Sequence, residues 1–197
     1  FNRRFSPFIT KLKSLLLKQS GPKVFVVTIN AGEIEKDHWT QDPAIGGGRI
    51  IGEACHFVDL LRFLVGFKIE GFTAVKIGDV PGVHTRNDKV SITLSFSDGS
   101  IGTIHYLSNG GQSFPKERIE VFCNDAVLQL NNFRELKGYG WKGFRKKLSL
   151  SQQKGQVECV DNFVKSIEDG ATAPIPFNEL IEVSRTCIEI SNKLELQ

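Results

Sequence analysis

A chain of 197 residues, 40% of them hydrophobic, is long enough to bury one ordinary core, either as a single domain or as a modest two-layer one. Its 25 lysines and arginines against 22 acidic residues leave a formal net charge of only +3, which argues against a nucleic-acid binder or an acidic-membrane binder. No apolar run approaches the length of a membrane span.

Ser6 followed by Pro7 reads as a helix start, a side-chain cap with proline in the first turn. Phe8, Leu12, Leu15 and Leu16 then recur at helical spacing until Gly21 and Pro22. The β-branched run from 23 to 30 reads as a strand. A loop from 31 to 45 carries His38, Trp39 and Asp42 toward three glycines, Gly46, Gly47 and Gly48. Behind them Ile50, Ala54, Phe57, Val58, Leu61, Leu64 and Val65 mark one side of a helix from about 49 to 65, with Gly66 where a C-terminal cap belongs. Residues 71 to 77 read as a strand. Residues 89 to 96 alternate, with Val90, Ile92, Leu94 and Phe96 on one face and Ser91, Thr93 and Ser95 on the other; Asp98 and Gly99 turn the chain into a partner strand from about 100 to 107. A second hairpin joins 118–123 to 126–130 around Asn124 and Asp125, and 133–136 adds a short strand. Residues 137–147 are basic, with Tyr139, Trp141 and Phe144 interleaved; they read as a solvated loop with aromatic anchors rather than a nucleic-acid site. Helical spacing returns from 156 to 168, through Val157, Val160, Val164 and Ile167, and again from 178 to 194, with Pro174 and Pro176 in a stiff connector. Hairpins imply antiparallel pairing. The expected fold is therefore α+β, a large, mostly antiparallel sheet with helices on one face.

The glycine-led helix is the best candidate for chemistry. Its apolar series clusters on one side, while Arg49, Gly52, Glu53, His56 and Asp59 fall on a flank well away from it. One face should pack on the core and the other present acid, imidazole and guanidinium, beside helix N-terminal amides able to attract an anion. Imidazole suits acid-base work because its unperturbed pKa sits close to working pH. A histidine there also serves readily as a surface or packing residue, and Trp39 as a structural aromatic. Cys55, Cys123, Cys159 and Cys187 lie far apart, without the paired spacing of a zinc site or disulfide framework, so reduced, mostly buried thiols in a cytoplasmic protein are expected, with no metal.

The succession of Gly46, Gly47 and Gly48, then His56, then Asp59 resembles the signature of the glucose-fructose oxidoreductase and inositol dehydrogenase (Gfo/Idh/MocA) family: three glycines, three residues, Asp, three residues, His, two residues, Asp. The family's first aspartate falls on Gly52, with Glu53 beside it. The opening Phe1-Asn2-Arg3-Arg4-Phe5-Ser6-Pro7 is similar to the segment that follows the dinucleotide-binding domain in these enzymes. The runs at 37–43, 86–90 and 113–118 resemble a bacterial branch often fused behind a zinc-type alcohol dehydrogenase module.

The resemblance implies that residues 1–197 form the substrate-binding and oligomerisation domain of an oxidoreductase acting on a sugar, nucleotide-sugar or cyclitol hydroxyl. It implies His56 as catalytic acid or base. Asn2, Arg3, Arg49, Glu53, Asp59, His38 and Trp39 would be substrate contacts, with Arg3 also reaching toward the cofactor. NAD or NADP is expected in the intact protein and not on this chain. The implied partners are a carbohydrate-like substrate, the protein's own N-terminal Rossmann domain, and further copies in a homodimer or homotetramer built through the sheet; nucleic acid and membrane are not implied. Two alternatives stand: a glycosidase that uses NAD for transient oxidation, and a non-catalytic ligand-binding or assembly module, for which Gly52 speaks. The chain contains no methionine, opens on Phe1 and shows no G-x-G-x-x-G after a strand, so it is expected to be a piece of a longer protein whose cofactor domain lies elsewhere.

Overall fold

A 3-10 turn over Asn2–Phe5 runs directly into helix α1 (Pro7–Leu16), and the Ser6 hydroxyl accepts from the Phe8 amide at 3.2 Å, the cap that the Ser-Pro pair predicts. The computed structural model describes residues 1–35, 38–42, 45–78 and 88–197. Asp37, Pro43, Arg86 and Asn87, within the runs at 37–43 and 86–90, lie outside the described residues. The strands are β1 (Val24–Asn30), β2 (Ile69–Lys76), β3 (Lys89–Phe96), β4 (Ile101–Leu107), β5 (Glu117–Cys123), β6 (Ala126–Asn131), β7 (Glu135–Tyr139) and β8 (Lys146–Leu148). They form one eight-stranded sheet in the order β2-β3-β4-β1-β5-β6-β7-β8.

The hairpins fold as their turn residues dictate. Asn124 and Asp125 both take positive φ, at 46° and 58°, which matches the right-handed twist of the strands they join. The pairing is antiparallel throughout except at the centre, where β1 runs parallel to β4, so the sheet is mixed. At the far edge two expectations are corrected. Phe133 sits in the turn before β7 with φ of 52°, which displaces the short strand expected at 133–136, and the basic stretch read as a loop doubles back to add β8, pairing Leu148 with Glu135.

One face of the sheet is covered. Val90, Ile92, Leu94 and Phe96 of β3 and Phe25, Val27 and Ile29 of β1 are buried with Phe8 and Leu12 of α1 and Phe57, Val58 and Leu61 of helix α2 (Cys55–Val65). Gly66 closes α2 in the left-handed conformation expected of it. Helix α4 (Phe177–Glu195) packs against α2 through Val183, Cys187, Ile190 and Leu194. Helix α3 (Gln156–Glu168) is different: none of its residues is buried, and it lies beside the Asn2–Phe5 turn. All four cysteines are free; Cys123 and Cys187 are buried, while Cys55 and Cys159 are only half-buried, fewer than expected. Among the described residues no helix is long and apolar enough to cross a membrane.

Candidate active site

The first of the glycines that lead into the helix is there for packing. A Cβ at Gly46 would stand 2.4 Å from the Thr40 Cα, so only glycine lets the turn Trp39–Gln41 lie against this segment. Gly47 and Gly48 follow with φ of 68° and 80°, conformations other residues adopt at a cost. The amides of Gly46 and Gly47 both donate to the Asp42 carbonyl, at 2.8 and 3.0 Å. These two amides are therefore engaged, and the anion-attracting role expected beside the glycines does not extend to them. The helix then opens with a π-helical stretch, Ile50–Ala54, before α2. Gly52 lies in it, exposed, with open space around its Cα.

Two residues expected on the presenting flank are instead inside. Arg49 is buried, donating from Nη1 to the Gly32 carbonyl at 2.6 Å, with its guanidinium 5.2 Å from the centre of the Tyr106 ring. It also faces Glu53 at 3.4 Å, and Glu53 accepts from the Tyr106 hydroxyl at 2.6 Å. Burial pushes the Glu53 carboxyl up, but Tyr106 and Arg49 outweigh it and hold the group below the usual carboxylate range. Asp59 is fully buried and gripped by Arg4 through Nε at 2.8 Å and Nη2 at 2.6 Å. The reason is tertiary. The segment after β1 lies over Arg49, and the N-terminal turn and α4 lie over Asp59, so a flank that periodicity leaves open is closed by distant elements.

His56 remains half-buried, with the Phe1 ring edge-on at 5.8 Å. Burial, then Arg3, lowers its pKa to about 4, away from the working-pH value expected of it, so the imidazole is neutral at neutral pH and is available there as a base rather than an acid. Arg3 lies 4.5 Å over the neighbouring Phe57 ring and donates to Glu117 Oε1 at 2.8 Å, which also accepts from Lys154 Nζ at 3.0 Å. Asn2 donates to the Lys154 carbonyl at 2.8 Å. Three buried polar atoms in this neighbourhood, His56 Nδ1, Arg3 Nε and Glu117 Oε2, have no hydrogen-bond partner among the described residues. Buried polar groups are rarely left this way. Glu117 and Lys154 were not singled out from sequence. Glu117 lies within the 113–118 run that carries the resemblance, whereas nothing in the sequence marked Lys154.

His38 and Trp39 are exposed, stacked on each other at 5.9 Å, with His38 Nδ1 2.8 Å from the Thr40 hydroxyl. No described interaction joins them to His56.

The family model described as GFO/IDH/MocA C-terminal domain matches residues 21–129. No curated protein matches. Among solved structures, an NAD binding oxidoreductase from Klebsiella pneumoniae has a TM-score of 0.79 at 18% identity, covering 99% of this chain and 63% of that one. A UDP-N-acetylglucosamine 3-dehydrogenase from Acidithiobacillus ferrooxidans has a TM-score of 0.74 at 16% identity, covering 98% and 60%. An aldose-aldose oxidoreductase from Caulobacter crescentus complexed with glycerol has a TM-score of 0.75 at 13% identity, covering 98% and 61%. At these identities the likeness is one of fold. The chain spans about three fifths of the length of each of these structures.

Proposed function

Because this chain belongs to the GFO/IDH/MocA C-terminal domain family, we propose that it is the substrate-binding domain of an NAD- or NADP-dependent oxidoreductase acting on a sugar, nucleotide-sugar or cyclitol hydroxyl. The observation that carries this is His56: a half-buried imidazole held neutral, beside Arg3, Lys154 and a Glu117 oxygen that lacks a partner. A nicotinamide bound by a separate Rossmann domain would act as the hydride acceptor. The residues of this chain handle the proton and the substrate. His56 takes the proton of the reacting hydroxyl, Arg3 and Lys154 offset the negative charge left on its oxygen, and Glu117, buried behind them, holds both cations in place. Arg49 and Asp59 act behind this layer, holding Glu53 and the N-terminal turn.

The rest of the molecule supports partners for this domain. Val157, Val160, Phe163, Val164 and Ile167 of α3 are exposed beside the Asn2–Phe5 turn, an apolar side suited to packing against the proposed Rossmann domain. On the uncovered sheet face the register aligns Ile101, Val24, Phe122, Val127 and Tyr139 across five strands, an apolar row suited to a second copy. The run at 113–118 supports the bacterial branch fused to a zinc-type alcohol dehydrogenase module, and the free cysteines support a cytoplasmic setting.

A second reading, a non-catalytic binding or assembly module, is favoured by one observation: Gly52 stands exposed where the resemblance places a carboxylate. The test is His56→Ala in the intact protein, which should lower turnover by about two to four orders of magnitude while leaving folding intact. Near-normal turnover with reduced thermal stability would make His56 a packing residue, and an intact protein without dehydrogenase activity would favour the second reading.

A further inference from the structure

The basic stretch that closes the sheet has no part in the chemistry around His56. Residues 1–32 contain no aspartate or glutamate, and neither do residues 136–157. The fold brings these two acid-free stretches together. Lys147 of β8 donates to the Pro7 carbonyl at 2.8 Å, and Lys11 of α1 lies 5.3 Å from the centre of the Phe144 ring, so α1 runs along the β7–β8 hairpin.

Between the end of α1, the β5–β6 turn and the hairpin tip is a cavity of about 370 Å³, lined in part by Lys11, Lys18, Asn124, Trp141 and Lys142. That is the size of a small-molecule site. None of the three lysines forms an ion pair with a carboxylate among the described residues, and Asp125 of the β5–β6 turn is the one acidic residue beside the lining, so the cavity keeps a positive excess. Trp141 forms part of the wall and offers an aromatic surface beside the lysines.

We propose that this cavity binds a phosphate-bearing small molecule. Lys11, Lys18 and Lys142 hold the phosphate oxygens as point charges, and the sugar or ring of the ligand lies against Trp141. The site is separate from the one proposed around His56 and does not depend on that reading. A small ligand fits better than a nucleic-acid strand, because the three lysines line one cavity while the chain as a whole carries only +3.

The chain has two tryptophans, so Trp39→Phe leaves Trp141 as the sole indole reporter. The chain carrying that substitution is titrated with inorganic phosphate, pyrophosphate, ribose 5-phosphate and a single-stranded oligonucleotide at constant ionic strength, following emission and heat. The expected result is a saturable change with ribose 5-phosphate at or below about 1 mM, the weak end of specific affinities. Lys18→Glu and Lys142→Glu should each weaken it at least tenfold, with unchanged circular dichroism. No saturable response, a response that chloride reproduces, undiminished binding by both variants, or binding of the oligonucleotide alone would overturn the proposal.

Discussion

Arg4 closes on Asp59 with two guanidinium nitrogens, at 2.6 and 2.8 Å, and so ties the first turn of the chain to the middle of α2. The same guanidinium reaches Glu179 of α4 at 2.6 Å, and α4 returns to α2 through Glu182, which accepts from Arg62 at 2.9 Å. Three separate elements are braced by one chain of charges, with the Asp59 carboxylate at its fully buried end.

Asp59→Asn should therefore destabilise the chain. Removing one partner of a buried ion pair costs up to about 3–5 kcal/mol, with Glu179 left to offset part of the Arg4 charge; for a chain of this size that full cost would lower the melting temperature by roughly 6–20 °C. Calorimetry on the variant measures it directly. An unchanged melting temperature together with a raised KM in the intact enzyme would make Asp59 a substrate ligand after all.

The depressed pKa of His56 predicts a pH dependence with a definite sign. The folded chain binds this proton only near pH 4, while the unfolded chain binds it near 6.5, so between those values the unfolded state carries more protons. The contribution of His56 to stability is fully present above about pH 6.5 and is lost as pH falls toward 4. Urea unfolding across that window should show a steeper loss for the wild type than for His56→Gln. Parallel curves would mean that His56 titrates as an ordinary exposed imidazole.

Self-association should run through the uncovered sheet face. Phe122 is 43% exposed and Val24 and Ile101 each 42%, and the register sets them side by side near the centre of the sheet. The small-residue patch at Ser91, Thr93 and Ser95 is flatter but already bonded within itself and to its neighbours, Thr93 to Thr103 and Ser91 to His105. A self-complementary patch closes most simply as a two-fold dimer. Light scattering at micromolar concentration should give a dimeric mass for the wild type and a monomeric mass for Phe122→Arg, with unchanged circular dichroism. A wild-type monomer would remove the proposal, and a dimer indifferent to Phe122→Arg would move the contact elsewhere.

Features set by near neighbours in the chain were legible from sequence. The Ser6 cap with Pro7, the Asn124 and Asp125 turn, the Gly66 cap and the alternation along β3 each follow from backbone sterics and side-chain periodicity over a few residues, and each formed as read. The glycine triplet was also visible as a unit, although its purpose was not: that Gly46 must admit the Thr40 backbone is a contact between two loop segments.

Only the tertiary structure decided which faces were closed. Periodicity places Arg49 and Asp59 on an open flank, but it cannot say that the segment after β1 would cover one and Arg4 the other. Nor can it show that Glu117 and Lys154 would meet Arg3 beside His56, since those residues lie 114 and 37 positions apart along the chain. The parallel pairing of β1 with β4 is hidden for the same reason. Local sterics fix how each segment folds, whereas burial and ion pairing between distant segments depend on how the whole sheet is assembled, and no short stretch of sequence carries that information.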